Sequence, residues 1–312
     1  MRAVLLVWFA DGALGSLECP LNPSRVDQLL TLPVSRGGNS LELVLDTGSA
    51  ETVMFKTSPD GSRQLASQVS RYQDVSLSLT PASLSAPSFI ACSSPIPLHG
   101  AMDGTPSDKD LSGVADGILG IGGPAFSSPS FLFSPNAPKW ALVSVTVPLH
   151  VTEAGKLGLH RRLVRRTISQ AVPLVSDYYW AGGLDSMSFG ASAIPTGEQP
   201  AVVFDTGANF FGMSRGLLGR VKAAIAEHGC DKELKIGVTS QGEPVTITFG
   251  PEHYLIEGDC GSYAISQIDQ TQLGDLAHRD VMIVGTRGLR GKTISLHKQS
   301  SSKQPRLFLT IN

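Results

Sequence analysis

Apolar residues along this chain come in short bursts rather than at sustained helical spacing. Leu41 to Leu45, Val75 to Leu79, Trp140 to Leu149, Met187 to Phe189, Val245 to Phe249, Thr293 to Leu296 and Leu307 to Ile311 are runs of continuous or alternating apolar character, each bounded by Gly, Pro, Asp or Ser. Runs of this length and edging predict β-strands. One stretch differs: in Leu217 to His228 (LLGRVKAAIAEH) the apolar side chains fall on one helical face and Gly229 follows as a stop, which predicts a helix. The expected fold class is therefore all-β with few short helices.

Composition narrows the function. The 312 residues suffice for one large domain or two ordinary ones, and 41% hydrophobic with 17% charged residues is the balance of a folded globular chain. Twenty-five Lys and Arg against 27 Asp and Glu leave a net charge of −2, too little cationic surface for sequence-independent nucleic-acid binding. No apolar run approaches the roughly eighteen residues of a membrane span. Residues 1–15, with Arg2, the apolar Ala3 to Ala10 and the small residues Ala13 and Gly15, read as a secretory signal peptide, with an edge strand as the alternative. Cys19, Cys92, Cys230 and Cys260 show neither C-x-x-C nor zinc spacing, and the even count permits two disulfides or four buried thiols. The sequence holds no His-Glu-x-x-His, no Gly-x-Ser-x-Gly, no P-loop and no dinucleotide fingerprint, and its seven histidines are scattered; His99, His150 and His253 read as surface or hydrogen-bonded residues. Neither a metal nor a cofactor is expected. The arginines of His160 to Arg166 read as a solvated hairpin, with a dibasic processing site as the alternative, and Ser300 to Ser302 as a loop.

The chain repeats itself. Leu43-Val44-Leu45-Asp46-Thr47-Gly48-Ser49 is matched 159 residues later by Val202-Val203-Phe204-Asp205-Thr206-Gly207-Ala208. Ile118-Leu119-Gly120 ends 74 residues after Asp46, and Ile283-Val284-Gly285 ends 80 residues after Asp205. Two copies with matching flanks and matching downstream partners are not a product of chance. The duplication divides the chain into two lobes, 16–160 and 161–312, meeting around Gly155 to Thr167. An apolar strand running into Asp-Thr-Gly holds a carboxylate rigidly at a strand end, where glycine allows a tight turn. Two such turns brought together would set Asp46 beside Asp205, and like charges that close share one proton. One carboxyl can then deprotonate a water while the other protonates a carbonyl oxygen.

On these motifs the chain resembles the two-lobed, pepsin-like aspartic proteases, over nearly its whole length from about Ser24. The resemblance extends to Ala115-Asp116-Gly117-Ile118-Leu119-Gly120-Ile121-Gly122, to the approach from Tyr179-Trp180 to Phe189, and to the stretch from Ile283-Val284-Gly285 to Leu296. It implies a bilobal all-β fold with pseudo-twofold related lobes, and a monomeric endopeptidase acting on peptide or protein substrates in the secretory or vacuolar pathway or outside the cell. It makes Asp46 and Asp205 the catalytic pair, a dyad whose shared proton is a known property of that family. Thr47 and Thr206 would tie the loops together, Gly48 and Gly207 would leave room for water and substrate, and Ser49 would hydrogen-bond Asp46. Ala208 stands where a hydroxyl residue is common. Cys230 and Cys260 would form the disulfide of the C-terminal lobe.

The flap departs from the family pattern. Between Thr47 and Arg71 there is neither tyrosine nor tryptophan: Val53 occupies the place expected for the tryptophan, and Tyr72 is the nearest aromatic. A hairpin around Pro59-Asp60-Gly61 would serve as a reduced flap, or the cleft is open. Two alternatives stand beside the protease: an acid-base enzyme acting on a non-peptide substrate, and a binding protein on the same fold.

Overall fold

The computed structural model describes residues 16–23, 29–36, 39–49, 53–57, 63–65, 75–79, 95–98, 115–123, 142–160, 172–240, 243–299 and 306–311. The expected signal segment, the hairpin around Pro59-Asp60-Gly61, Tyr72, Cys92, His99, the arginines of 161–166 and Ser300 to Ser302 lie outside them.

Among the described residues the chain is predominantly β. The strands form a 13-stranded sheet, an 8-stranded sheet and a small two-stranded ribbon. The expected helix spans Arg215–His228, buries Leu217, Leu218, Val221 and Ile225, and ends at Gly229, whose N–H reaches the Ile225 carbonyl at 3.0 Å. Pro251–Tyr254 and Thr286–Leu289 add single helical turns.

The duplicated motifs occupy duplicated positions in the sheets. Asn39–Asp46 runs parallel to Gly117–Gly120, with Asp46 opposite Gly120, and Val53–Thr57 pairs antiparallel to the same strand. In the other sheet Ala201–Phe204 runs parallel to Val281–Val284, and Phe211–Met213 pairs antiparallel to it. Parallel strands covered on both faces read as unbroken apolar runs, and all four residues of both Gly117–Gly120 and Ala201–Phe204 are buried.

The larger sheet draws strands from both ends of the sequence. Thr293–Gln299 pairs with Leu142–Thr146, which pairs with Gly155–His160, which pairs with Ser16–Pro23. Gly155 to His160, which reads in sequence as the start of the lobe junction, is thus a central strand. One face of these strands carries Cys19, Leu21, Val143, Val145, Leu157, Leu159, Ile294 and Leu296, all in the main apolar core. The alternate positions carry Ser144, Thr146, His160, Ser295 and His297, and Thr146 meets Thr293 hydroxyl to hydroxyl at 2.9 Å.

Candidate active site

Each Asp-Thr-Gly triplet begins where a buried strand ends. Asn39–Asp46 delivers Asp46 behind the buried Leu43, Val44 and Leu45, and Ala201–Phe204 delivers Asp205 behind Val202, Val203 and Phe204. The parallel neighbours anchor both positions: Ile121 N–H donates to the Asp46 carbonyl at 2.7 Å, and Asp205 N–H donates to the Val284 carbonyl at 3.0 Å.

The threonines lock the loops to one another. Thr47 N–H donates to Thr206 Oγ1 at 3.2 Å, and Thr206 N–H to Thr47 Oγ1 at 3.0 Å. The same hydroxyls donate onward, Thr47 Oγ1 to the Phe204 carbonyl at 2.7 Å and Thr206 Oγ1 to the Leu45 carbonyl at 2.6 Å. Only a hydroxyl can accept from one strand and donate to the other in this way. Both threonines are fully buried, so losing either hydroxyl would orphan groups that water cannot reach.

Glycine is required beside the acids because each loop closes on the opposite carboxyl. A Cβ on Gly48 would lie 2.5 Å from Asp205 Oδ2, and one on Gly207 would collide with the carboxyl of Asp46. The expected positions of Gly48 and Gly207 thus line the two acids from opposite sides. Asp46 Oδ1 accepts the N–H groups of Gly48 at 2.7 Å and Ser49 at 3.1 Å, so Ser49 meets Asp46 through its main chain. Asp205 Oδ1 accepts the N–H of Gly207 at 2.8 Å. Ala208 brings no hydroxyl, but its carbonyl accepts from the N–H and Oγ1 of Thr286, at 2.8 and 3.3 Å.

The two carboxyls are hydrogen-bonded to one another, and both keep partial access to solvent. Burial first, then the charge of Asp46 and that hydrogen bond, push the Asp205 carboxyl well above the usual carboxylate range, against a smaller lowering from the N–H groups of Gly207 and Ala208. Asp205 is therefore the member that holds the proton, as expected for a carboxyl with a like charge at hydrogen-bonding distance in a partly dehydrated site.

All eight residues singled out in sequence around the triplets are gathered here. Val53 falls on the strand beside Ile118. Sequence motifs did not single out Tyr179 as a site residue. Its phenol is pushed up by burial and then by the charges of Asp205, Asp275 and Asp46, and donates to the Gln272 carbonyl at 3.3 Å. Its partners lie some ninety residues downstream, where no local pattern marks them. Among the described residues no group of three metal-ligating side chains converges.

Cys230 and Cys260 are joined in a disulfide with their Cα atoms 5.6 Å apart. No helix of the described residues is long and apolar enough to cross a membrane.

No model of a known protein family matches the chain, and no curated protein matches it.

Proposed function

We propose that this chain is a bilobal, pepsin-like aspartic endopeptidase, with lobes 16–160 and 161–312 that each contribute one acid. The observation that carries the reading is the pair itself: two carboxyls hydrogen-bonded to one another on loops cross-tied through Thr47 and Thr206, with the proton on Asp205. The assignment of roles follows from that proton. Asp46 takes a proton from a water held between the acids as the water oxygen attacks the peptide carbonyl carbon, while Asp205 gives its proton to the carbonyl oxygen. In the collapse of the tetrahedral intermediate the C–N bond breaks, the proton on Asp46 passes to the leaving nitrogen, and a hydroxyl proton returns to Asp205. A carboxylic acid and an amine leave, and both acids end as they began. Every step is a proton transfer between groups at hydrogen-bonding distance.

The likeness to pepsin-like proteases supplies the substrate class: extended peptide with apolar side chains on both sides of the cleaved bond. The Cys230–Cys260 disulfide supports an oxidising compartment and, with the apolar N-terminus, the secretory route.

The test is peptide cleavage across an acidic pH series with folded Asp46→Asn and Asp205→Asn proteins. Each substitution is expected to lower kcat by about 10²- to 10⁴-fold; undiminished cleavage in either overturns the reading. Val53, in place of the expected tryptophan, favours the second reading, an acid pair acting on a non-peptide substrate. Tight binding of a statine peptide supports the protease, and its failure to bind a pair that still titrates as coupled carboxyls supports the alternative.

A further inference from the structure

A second path of hydrogen bonds joins the two acids, and it runs through one side chain. Ile121 N–H donates to the Asp46 carbonyl at 2.7 Å, and the Ile121 carbonyl accepts Trp180 Nε1–H at 2.9 Å. The Trp180 carbonyl in turn accepts Phe204 N–H at 3.0 Å, and Phe204 precedes Asp205. Trp180 therefore links the backbone at Asp46 to the backbone entering Asp205, separately from the threonines. It is fully buried, so its indole N–H would be orphaned without the Ile121 carbonyl.

The turn that presents Trp180 is itself clasped. Asp275 Oδ1 accepts the hydroxyl of Ser176 at 2.9 Å, and Asp275 Oδ2 accepts Asp177 N–H at 3.2 Å. Ser176 Oγ then accepts the N–H groups of Tyr178 and Tyr179, each at 3.1 Å. On the far side Gly123 N–H donates to the Tyr178 carbonyl at 2.6 Å, and a Cβ on Gly123 would strike the Asp177 carbonyl oxygen. Neither contact can shift without moving the turn.

We propose that Trp180, clasped through Ser176 and Asp275, is a positioning residue that sets the spacing of Asp46 and Asp205. The inference rests on the acid-pair reading above. It goes beyond it by assigning the geometry of the pair to a side chain that touches neither substrate nor reacting atoms. A buried tryptophan serving only as filler could be exchanged for phenylalanine at a cost in stability alone. A cross-tie needs the indole N–H.

The deciding variant is Trp180→Phe in the full chain, with Phe249→Leu as a control that perturbs the same core away from the pair. The readouts are melting temperature, kcat, KM and the pH dependence of kcat/KM. Misplacement of a reacting group by about 1 Å costs on the order of 100-fold in rate, so Trp180→Phe is expected to lower kcat by about 10- to 100-fold with KM little changed. Looser spacing weakens the coupling, so the alkaline limb moves to lower pH; the charged or titratable groups facing Asp205 are Asp46 and Tyr179. Unchanged kcat and an unmoved limb, or equal effects from Phe249→Leu, overturn the proposal. Should Trp180→Phe not fold, Ser176→Ala carries the same expectation at smaller amplitude, and an unmoved limb there overturns it equally. Should the wild-type protein cleave no peptide, the protease reading fails by itself. Carboxyl NMR titration of the acids in wild type and Trp180→Phe then decides the positioning role, with identical titration curves counting against it.

Discussion

Protonation of Asp205 has a thermodynamic consequence that can be read without substrate. Its carboxyl is raised in the fold above the ordinary value of 3.8, so the folded state binds that proton more tightly than the unfolded chain does. Stability from this group is full below about pH 3.8 and is lost as pH rises through the elevated value, because between the two the unfolded chain has released a proton the fold retains. The buried imidazoles of His253 and His297 act in the opposite sense: burial holds both below 6.5, so they favour the fold above that pH and oppose it on acidification. Comparison of wild type with Asp205→Asn cancels the histidines, which are common to both, and leaves the acid. Wild type is expected to lose melting temperature relative to the asparagine variant as pH climbs from about 4, since the amide imitates the protonated carboxyl at every pH. A constant difference across that range would mean that Asp205 holds no extra proton. The identity of the two acids was legible in sequence because the triplet recurs with its flanks. Which acid keeps the proton was not, because that depends on burial and on how many N–H groups meet each carboxyl, and both acids stand in the same local pattern.

At the scale of elements, what the sequence disclosed depended on whether neighbours agreed with local pattern. Val245 to Phe249 and Val75 to Leu79 alternate apolar and polar residues and are strands where expected. Met187 to Phe189 is only the end of a nine-residue strand, Ala181–Phe189, whose start was hidden by Gly182 and Gly183. Those glycines are poor strand formers, held extended by pairing with Ala201–Phe204. Ser214 looks like a helix cap, yet its hydroxyl donates to Asp280 at 2.9 Å and makes no cap. The helix C-terminus is secured differently, by the disulfide from Cys230 to the strand Asp259–Tyr263 and by Tyr254, whose hydroxyl donates to the Cys230 carbonyl at 2.8 Å. Burial, then the charges of Asp231 and Glu252, push that phenol up to about 12, so it stays a donor. Closing a loop of this length stabilises by about 3 kcal/mol. Replacing Cys230 and Cys260 together by serine should lower unfolding free energy by about that amount in chemical denaturation, with peptide cleavage retained at permissive temperature because neither cysteine contacts the acids. Equal midpoints for the two proteins would show that the helix end needs no staple.

For the whole molecule, the question is what stops two halves, each with its own Asp-Thr-Gly loop, from drifting apart. The threonine cross-ties and Trp180 act at the acids, but a handful of hydrogen bonds, each contributing about 1 kcal/mol net, cannot hold two large bodies in register. Sheet pairing supplies the remainder. Thr293–Gln299 leaves the Val281–Val284 region of one half and aligns Ile294 with Val145 and Leu296 with Val143 of the other, then pairs with Arg306–Ile311. Ile294 and Leu296 are buried in the core shared with Leu157 and Leu159. These strands read in sequence as ordinary terminal strands, because a pattern of alternation tells which face is buried but not against which partner. Ending the chain after residue 292 would remove both strands, uncover Val143 and Val145, and leave the 142–146 strand with an open edge. Exposed apolar edges of that kind favour association over folding. The shortened protein is expected to lose cooperative unfolding and statine binding together, even though Asp46, Asp205 and both threonines remain in it. Retention of a single sharp transition would mean instead that the loops alone hold the halves in register, and the shared sheet would be left with no part in bringing the acids together.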